Sequence, residues 1–241
     1  MLRRNMLSFA MILVSAVFPC LAWEIPLNLE NFSQAKAASC VSGGVPLLAG
    51  QAKETAELRL AAKGADGKVT AVPAQFRVLA RWWRGDNSIR WVLVDTATDF
   101  KPGEKKTLIL TNEKLAGAKP AAELKVEETP ESITITTGAA KFVINRKKFS
   151  FIEKAIVDGD DLLAGSADCG LVLKDTYGDK YFSSEGTTGV DVIEKGALRV
   201  CVRAKGRNMG RDGKGYSRGM YGYDVFMNFY AGSSDVYSDV V

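Results

Sequence analysis

Gln75-Phe76-Arg77-Val78-Leu79-Ala80-Arg81-Trp82, then Gly85-Asp86-Asn87, then Ile89-Arg90-Trp91-Val92-Leu93-Val94, is the stretch that decides the fold. Its first part alternates with period two, placing Phe76, Val78, Ala80 and Trp82 on one face and Gln75, Arg77 and Arg81 on the other. The Gly-Asp-Asn triplet supplies a turn, and the second part returns as a mostly buried strand, so the whole predicts a β-hairpin. Working outward, Lys101-Pro102-Gly103-Glu104 predicts another turn, leading into a strand at Thr107–Thr111. The best helical candidate, around Glu54 to Ala62, is short and runs into Gly64, Asp66 and Gly67, which read as a hairpin turn.

Residues 116–122 (AGAKPAA) lack aromatic and β-branched side chains and read as a linker. Beyond them strands are predicted at Ser132–Thr137, Lys141–Asn145, Leu171–Lys174, Val190–Ile193, Leu198–Ala204, Tyr223–Tyr230 and Val236–Val241. Turns such as Asp158-Gly159-Asp160-Asp161 and Tyr177-Gly178-Asp179 separate them. Short strands broken by Gly and Asp at this spacing imply an all-β chain of antiparallel sandwich or barrel type. The implied organisation is a leader at 1–22, a first β domain at 23–115, a linker at 116–122 and a second β domain at 123–241. The sequence stops inside an apparent strand, Val236–Val241, with no closing turn. This predicts an unpaired sheet edge, as in a chain truncated relative to a longer relative.

The 241 residues contain 23 glycines, 7 prolines and no histidine. The absence of imidazole excludes Ser-His-Asp and Cys-His catalysis, His-ligated zinc and a histidine general base. Arg3 and Arg4 precede an apolar run from Met6 to Phe18, and Cys20-Leu21-Ala22 offers small residues before a cut after Ala22, the pattern of a secretory signal. Phe18 and Pro19 stand where a lipoprotein needs small residues, and the run is short for a membrane span. Export to the periplasm or the exterior is therefore expected, with no membrane span in the mature chain. The net charge of +4 contains two leader arginines and no leader acid, so cleavage leaves it near +2. Nucleic acid is not an expected partner. Of the cysteines left, Cys169 and Cys201 lie in or beside strand-like runs and could pair after export, or all three could be small buried thiols. No CxxC spacing exists, and no cofactor or metal is implied.

Gly44-Val45-Pro46-Leu47, Val72-Pro73-Ala74-Gln75, Leu79-Ala80-Arg81-Trp82 and Ser88-Ile89-Arg90-Trp91-Val92-Leu93-Val94-Asp95 together resemble the N-terminal domain of exo-rhamnogalacturonan lyases. Asp175-Thr176-Tyr177-Gly178, Gly196-Ala197-Leu198-Arg199-Val200 and Asn228-Phe229-Tyr230-Ala231-Gly232-Ser233 are similar to that family's central sandwich. The resemblance spans most of residues 40–241. It implies a small RIFT-type β-barrel followed by an incomplete antiparallel β-sandwich, without the α/α toroid that follows in the family. It also implies pectin-related chemistry for the lineage: β-elimination on rhamnogalacturonan, with the active cleft drawing on the toroid. This chain is expected to supply accessory β domains and no autonomous catalysis, so no catalytic residue is assigned. The alternatives are a non-catalytic module that binds acidic glycans and an inactive gene remnant.

A lyase acting beside a uronate needs a base, an acid and a cation, roles open to Tyr, Lys and Arg. The loop Lys205–Gly222 carries Arg207, Arg211, Lys214 and Arg218 with Tyr216 and Tyr221, opposed only by Asp212. It is a candidate grip for an acidic polysaccharide or oligosaccharide through bidentate arginine contacts. The plainer alternative is a long hairpin loop kept soluble by its charges. Alternation predicts Trp82 and Trp91 inside and Trp83 outside beside Arg84, where its flat apolar face could meet a sugar ring. Asp158, Asp160 and Asp161 lack the order of a calcium loop and read as a turn. Arg146-Lys147-Lys148 reads as a solvated basic face.

Overall fold

The computed structural model describes residues 22–32, 37–64, 66–163, 170–211 and 219–241, and all the regular structure there is β apart from two single 3₁₀ turns. Most of the expected leader, together with Cys169, Lys214, Tyr216 and Arg218, lies outside the described residues. No helix among them is long and apolar enough to cross a membrane.

The first seven strands are β1 (Glu24–Glu30), β2 (Ala37–Pro46), β3 (Arg59–Lys63), β4 (Val69–Val72), β5 (Ala74–Arg81), β6 (Ile89–Phe100) and β7 (Lys105–Thr111). They form two antiparallel sheets, ordered β1-β7-β3-β4 and β2-β6-β5. Leu60, Leu108 and Leu110 from the first, with Leu58 just before β3, share one buried cluster with Val45, Ile89, Val92 and Val94 from the second. The expected barrel-like half is thus two open sheets packed face to face, neither closed on itself. The hairpin turn at Gly64–Gly67 forms as expected, Gly64 N donating to the Lys68 carbonyl at 2.9 Å. The helical candidate at 54–62 does not form. Only Thr55–Glu57 coils, as a 3₁₀ turn closed by a Glu54/Glu57 capping box, and Leu58 and Leu60 bury side chains in a strand-side register instead. Burial in the sheet outweighs the modest helix propensity of so short a segment.

The remaining strands are β8 (Lys125–Glu128), β9 (Ser132–Thr136), β10 (Lys141–Asn145), β11 (Lys154–Val157), β12 (Asp160–Asp161), β13 (Val172–Lys174), β14 (Lys180–Phe182), β15 (Thr187–Lys195), β16 (Arg199–Arg207), β17 (Met209–Gly210), β18 (Gly222–Tyr230) and β19 (Val236–Val240). Sheet β12-β11-β10-β9-β8 faces sheet β15-β16-β18-β19, with β13-β14-β17 as a small third sheet. Ile133, Ile135, Phe142 and Ile144 meet Val200, Val202, Val225, Met227 and Phe229 in a single core, and the Phe142 and Phe229 rings stand 5.3 Å apart. Fully burying side chains of this size stabilises by roughly 1.5–3 kcal/mol each before entropy is counted. Arg146 is more than a solvated base: it donates to Val190 O at 3.1 Å and Asp191 at 3.2 Å across from Glu128 at 3.5 Å, bridging β15 to β8. Asp158 and Gly159, both at positive φ, make the β11–β12 hairpin turn.

The two units meet where β5 and β6 lie against the start of β16. Gln75 enters the β15–β16 turn. Its Oε1 accepts the Leu198 and Arg199 backbone N–H groups at 3.1 and 3.0 Å, and its Nε2 donates to Glu194 at 3.1 Å and to the Arg199 carbonyl at 3.2 Å. Beside it Arg199, with 6% of its side chain exposed, pairs with Asp95 at 3.0 Å and Glu194 at 2.6 Å, and donates to Asn228 at 2.7 Å. Arg77 reaches the same Glu194 at 3.0 Å. Asp95 also accepts from Ser42. Burial alone would lower the Arg199 pKa. The Asp95 charge and hydrogen bond, with Glu194, outweigh that and hold it above the ordinary value.

Candidate functional site

A continuous aromatic and cationic face is built around the β5–β6 turn. The turn is fixed by Trp82 N donating to Ser88 O and Gly85 N to Trp82 O, both at 2.9 Å, with Asn87 in the left-handed region at φ 59°. Asp86 closes it from the side. Hydrogen bonds from the Ser88 side chain and backbone hold its carboxyl below the usual range. Arg81 braces the turn from beneath through the Lys53 and Asn87 carbonyls at 2.7 and 3.0 Å. A rigid turn of this kind presents side chains at low entropic cost.

Trp83 projects from it 72% exposed, with the Arg84 guanidinium 4.4 Å from its ring centre. Trp82 is half-buried, anchored by Nε1 donating to Leu47 O at 3.1 Å, and Arg90 lies 4.9 Å over its ring. Trp91 is 41% exposed and lies across Gly44, where an added Cβ would sit 2.2 Å from its Nε1. Two shallow clefts share Trp82 and Arg90. One, of about 440 Å³, runs to Leu48, Gln51 and Trp91; the other, of about 350 Å³, runs to Trp83 and Arg84.

Trp83 points outward as expected, but the expected burial of Trp91 is overturned, and Trp82 reaches the surface too. The cause is a pair of register shifts. Val78 pairs with Val92, Ala80 with Trp91 and Arg81 with Ile89, so one extra residue is looped out of β5 at Leu79 and then one out of β6 at Arg90. Each bulge inverts the side-chain phase. Ala80 is exposed for the same reason. The burial pattern records the break: Ile89, Val92 and Val94 are all buried, and no uninterrupted period-two strand can place 89 and 92 on one face.

The loop at 205–222 is anchored at both ends by strand. Arg207 donates to the Met220 carbonyl at 3.1 Å. Arg211 pairs with Glu185 at 2.9 Å and stacks 3.7 Å over Phe182, and its presence is the main reason the Glu185 carboxyl sits below its ordinary range. Tyr221 is 71% exposed at the loop's return. Arg207, Arg211 and Tyr221 therefore share one end of the second unit, and the two arginines are engaged in fold contacts. Trp83 is not with them. Trp83 lies at the β5–β6 turn beside Arg84, in a cleft lined by Arg81, Trp82, Arg84, Gly85 and Arg90. The structure thus divides the expected site residues between two places.

Among the described residues, several groups that could serve as base or cation are internally committed. Tyr223 donates to Ser183 O at 3.0 Å, and Tyr230 lies 3.4 Å from Ser42 Oγ; burial raises both phenols above their usual pKa. Arg203 makes a two-pronged pair with Asp224. Burial likewise pushes the Cys40 and Cys201 thiols up to about 11.

No protein-family model matches the chain, and no curated protein matches it. Among solved structures it is similar to an alpha-mannosidase from Enterococcus faecalis V583, at 9% sequence identity and a TM-score of 0.46, over 90% of this chain and 29% of that one. The chain thus spans less than a third of that protein's length.

Proposed function

We propose that this chain is the accessory, glycan-binding β portion of an exported carbohydrate-active protein of the exo-rhamnogalacturonan lyase type, and that it grips acidic oligosaccharides without cleaving them. The observation that carries this reading is the face at 82–91, where three tryptophans reach the surface and Arg84 and Arg90 lie on two of them. Flat indole faces suit the C–H side of a pyranose ring, and a guanidinium a few ångströms away suits a carboxylate on the same sugar. Tyr223, Arg199 and Arg211 are tied to partners within the fold, so these three serve the fold rather than a β-elimination. The loop arginines at 207 and 211 become supporting rather than gripping residues.

Calorimetric titration with rhamnogalacturonan oligosaccharides and with a neutral glucan tests the assignment. Saturable heat with the acidic ligand alone, and no ultraviolet absorbance from an unsaturated product on prolonged incubation, is expected. Equal binding of the neutral glucan would remove the acidic specificity, and a growing unsaturated product would show that the chain is itself a lyase.

A further inference from the structure

We propose that Gln75 is a latch that fuses the two β units into one cooperative folding body, and that Gly196 is the residue that lets it close. Interfaces between consecutive domains are ordinarily small and polar, and relative motion is the default. This one differs because buried groups of each unit take partners from the other across the junction. Asp95 is 1% exposed, and its cation, Arg199, comes from the other unit. The Leu198 and Arg199 N–H groups of the β15–β16 turn find their acceptor in the Gln75 side chain. Loss of one partner while the junction stays closed would leave a buried carboxylate or two backbone donors without these bonds, which is costly.

The fit at Gly196 is steric. A Cβ there would stand 2.0 Å from Gln75 Oε1 and 2.1 Å from its Cδ, so any side chain must displace the glutamine. Residues 75 and 196 are far apart in sequence, yet the geometry couples them directly. Such coupling is read by a double-mutant cycle.

The chain carries its own probes. All four tryptophans (23, 82, 83 and 91) lie in the first unit, and all seven tyrosines lie between 177 and 237 in the second. Urea unfolding of the full chain, followed by red-edge tryptophan fluorescence and by second-derivative tyrosine absorbance, therefore reports each unit separately. Coincident midpoints are expected for the wild type. Gln75→Ala should split them by roughly 0.5–1 M, the shift expected for buried donors left unpaired. Gly196→Ala should split them as far or further. Gln75→Ala/Gly196→Ala should be no worse than Gln75→Ala alone, because the clash is gone. The Gln75→Ala change touches neither hydrophobic cluster, so that variant stays folded and the comparison stands. Separate midpoints in the wild type, or coincident midpoints in both single variants, would overturn the latch. Additive effects in the double variant would overturn the role of Gly196.

Discussion

Arg199→Met probes the buried ion pair at the junction. The substitution keeps an unbranched side chain of similar length but removes the partner of Asp95 at 3.0 Å, of Glu194 at 2.6 Å and of Asn228 at 2.7 Å. Asp95 is 1% exposed and Glu194 12%, so neither carboxylate regains much water when the guanidinium goes. Glu194 keeps Arg77, whereas Asp95 keeps only the Ser42 hydroxyl. Breaking one side of a buried pair in this way costs about 3–5 kcal/mol, more than the intact pair itself contributes. With a urea dependence of about 2–3 kcal/mol/M, the unfolding midpoint should fall by roughly 1–2 M. Asp95→Asn/Arg199→Met should recover part of the loss, because the orphaned charge is then neutral. Circular dichroism during urea titration measures both variants. A midpoint for Arg199→Met within error of the wild type, or a double variant less stable than the single, would show that the Asp95 charge does not depend on Arg199.

Three further outcomes follow from the geometry. Phe229→Ala removes a fully buried ring packed 5.3 Å from Phe142 and should cost about 3–5 kcal/mol by scanning calorimetry or denaturant titration. Gly206→Ala would place a Cβ 2.4 Å from both the Gly186 carbonyl and the Tyr223 hydroxyl; a loss of about 1–3 kcal/mol is expected, since the backbone oxygen cannot swing aside. Cys40 and Cys201, pushed up to about 11 by burial, should react only slowly with a thiol reagent at about pH 8 while the chain is folded. Their folded pKa values lie above the unfolded ones, so the folded chain holds more protons in alkali. Their contribution is present below about pH 9 and is lost as pH rises towards 11, with Tyr223 and Tyr230 acting in the same direction. A stability that rises over that window would contradict the burial of these groups.

The period-two runs with β-branched residues make the strands at 132–136, 141–145, 199–207 and 222–230 legible in the sequence, because each buries one face against a single partner sheet. Strand β1 meets the same criterion, since Ile25, Leu27 and Leu29 alternate with Glu24, Pro26, Asn28 and Glu30. Strand β8 is not legible there: KVEE is mostly charge, so its pairing with β9 comes from tertiary context rather than propensity. The candidate site is half legible for a different reason. Trp83 can be placed outside by counting, but Trp82 and Trp91 depend on two bulges, and a bulge breaks the count on which such reasoning depends. Arg207 and Arg211 stand out by their density of charge. Their actual partners, the Met220 carbonyl and the Glu185–Phe182 pair, are set by packing that spacing does not encode. Arg199, the charge on which the junction turns, stands in the sequence within a strand, and nothing in its spacing marks its partner Asp95.

Whether the 82–91 face holds an acidic sugar is read by tryptophan fluorescence of the full chain titrated with a rhamnogalacturonan oligosaccharide, for the wild type, Trp83→Ala and Arg84→Ala/Arg90→Ala. A saturable change is expected in the wild type. Trp83→Ala should lose affinity by roughly five- to twelvefold, as removal of a stacking aromatic contact worth about 1–1.5 kcal/mol implies. The double variant should show a comparable loss with diminished salt dependence. Unaltered affinity in both variants, with the wild type still binding, would place the sugar elsewhere on the molecule and contradict the assignment of this face.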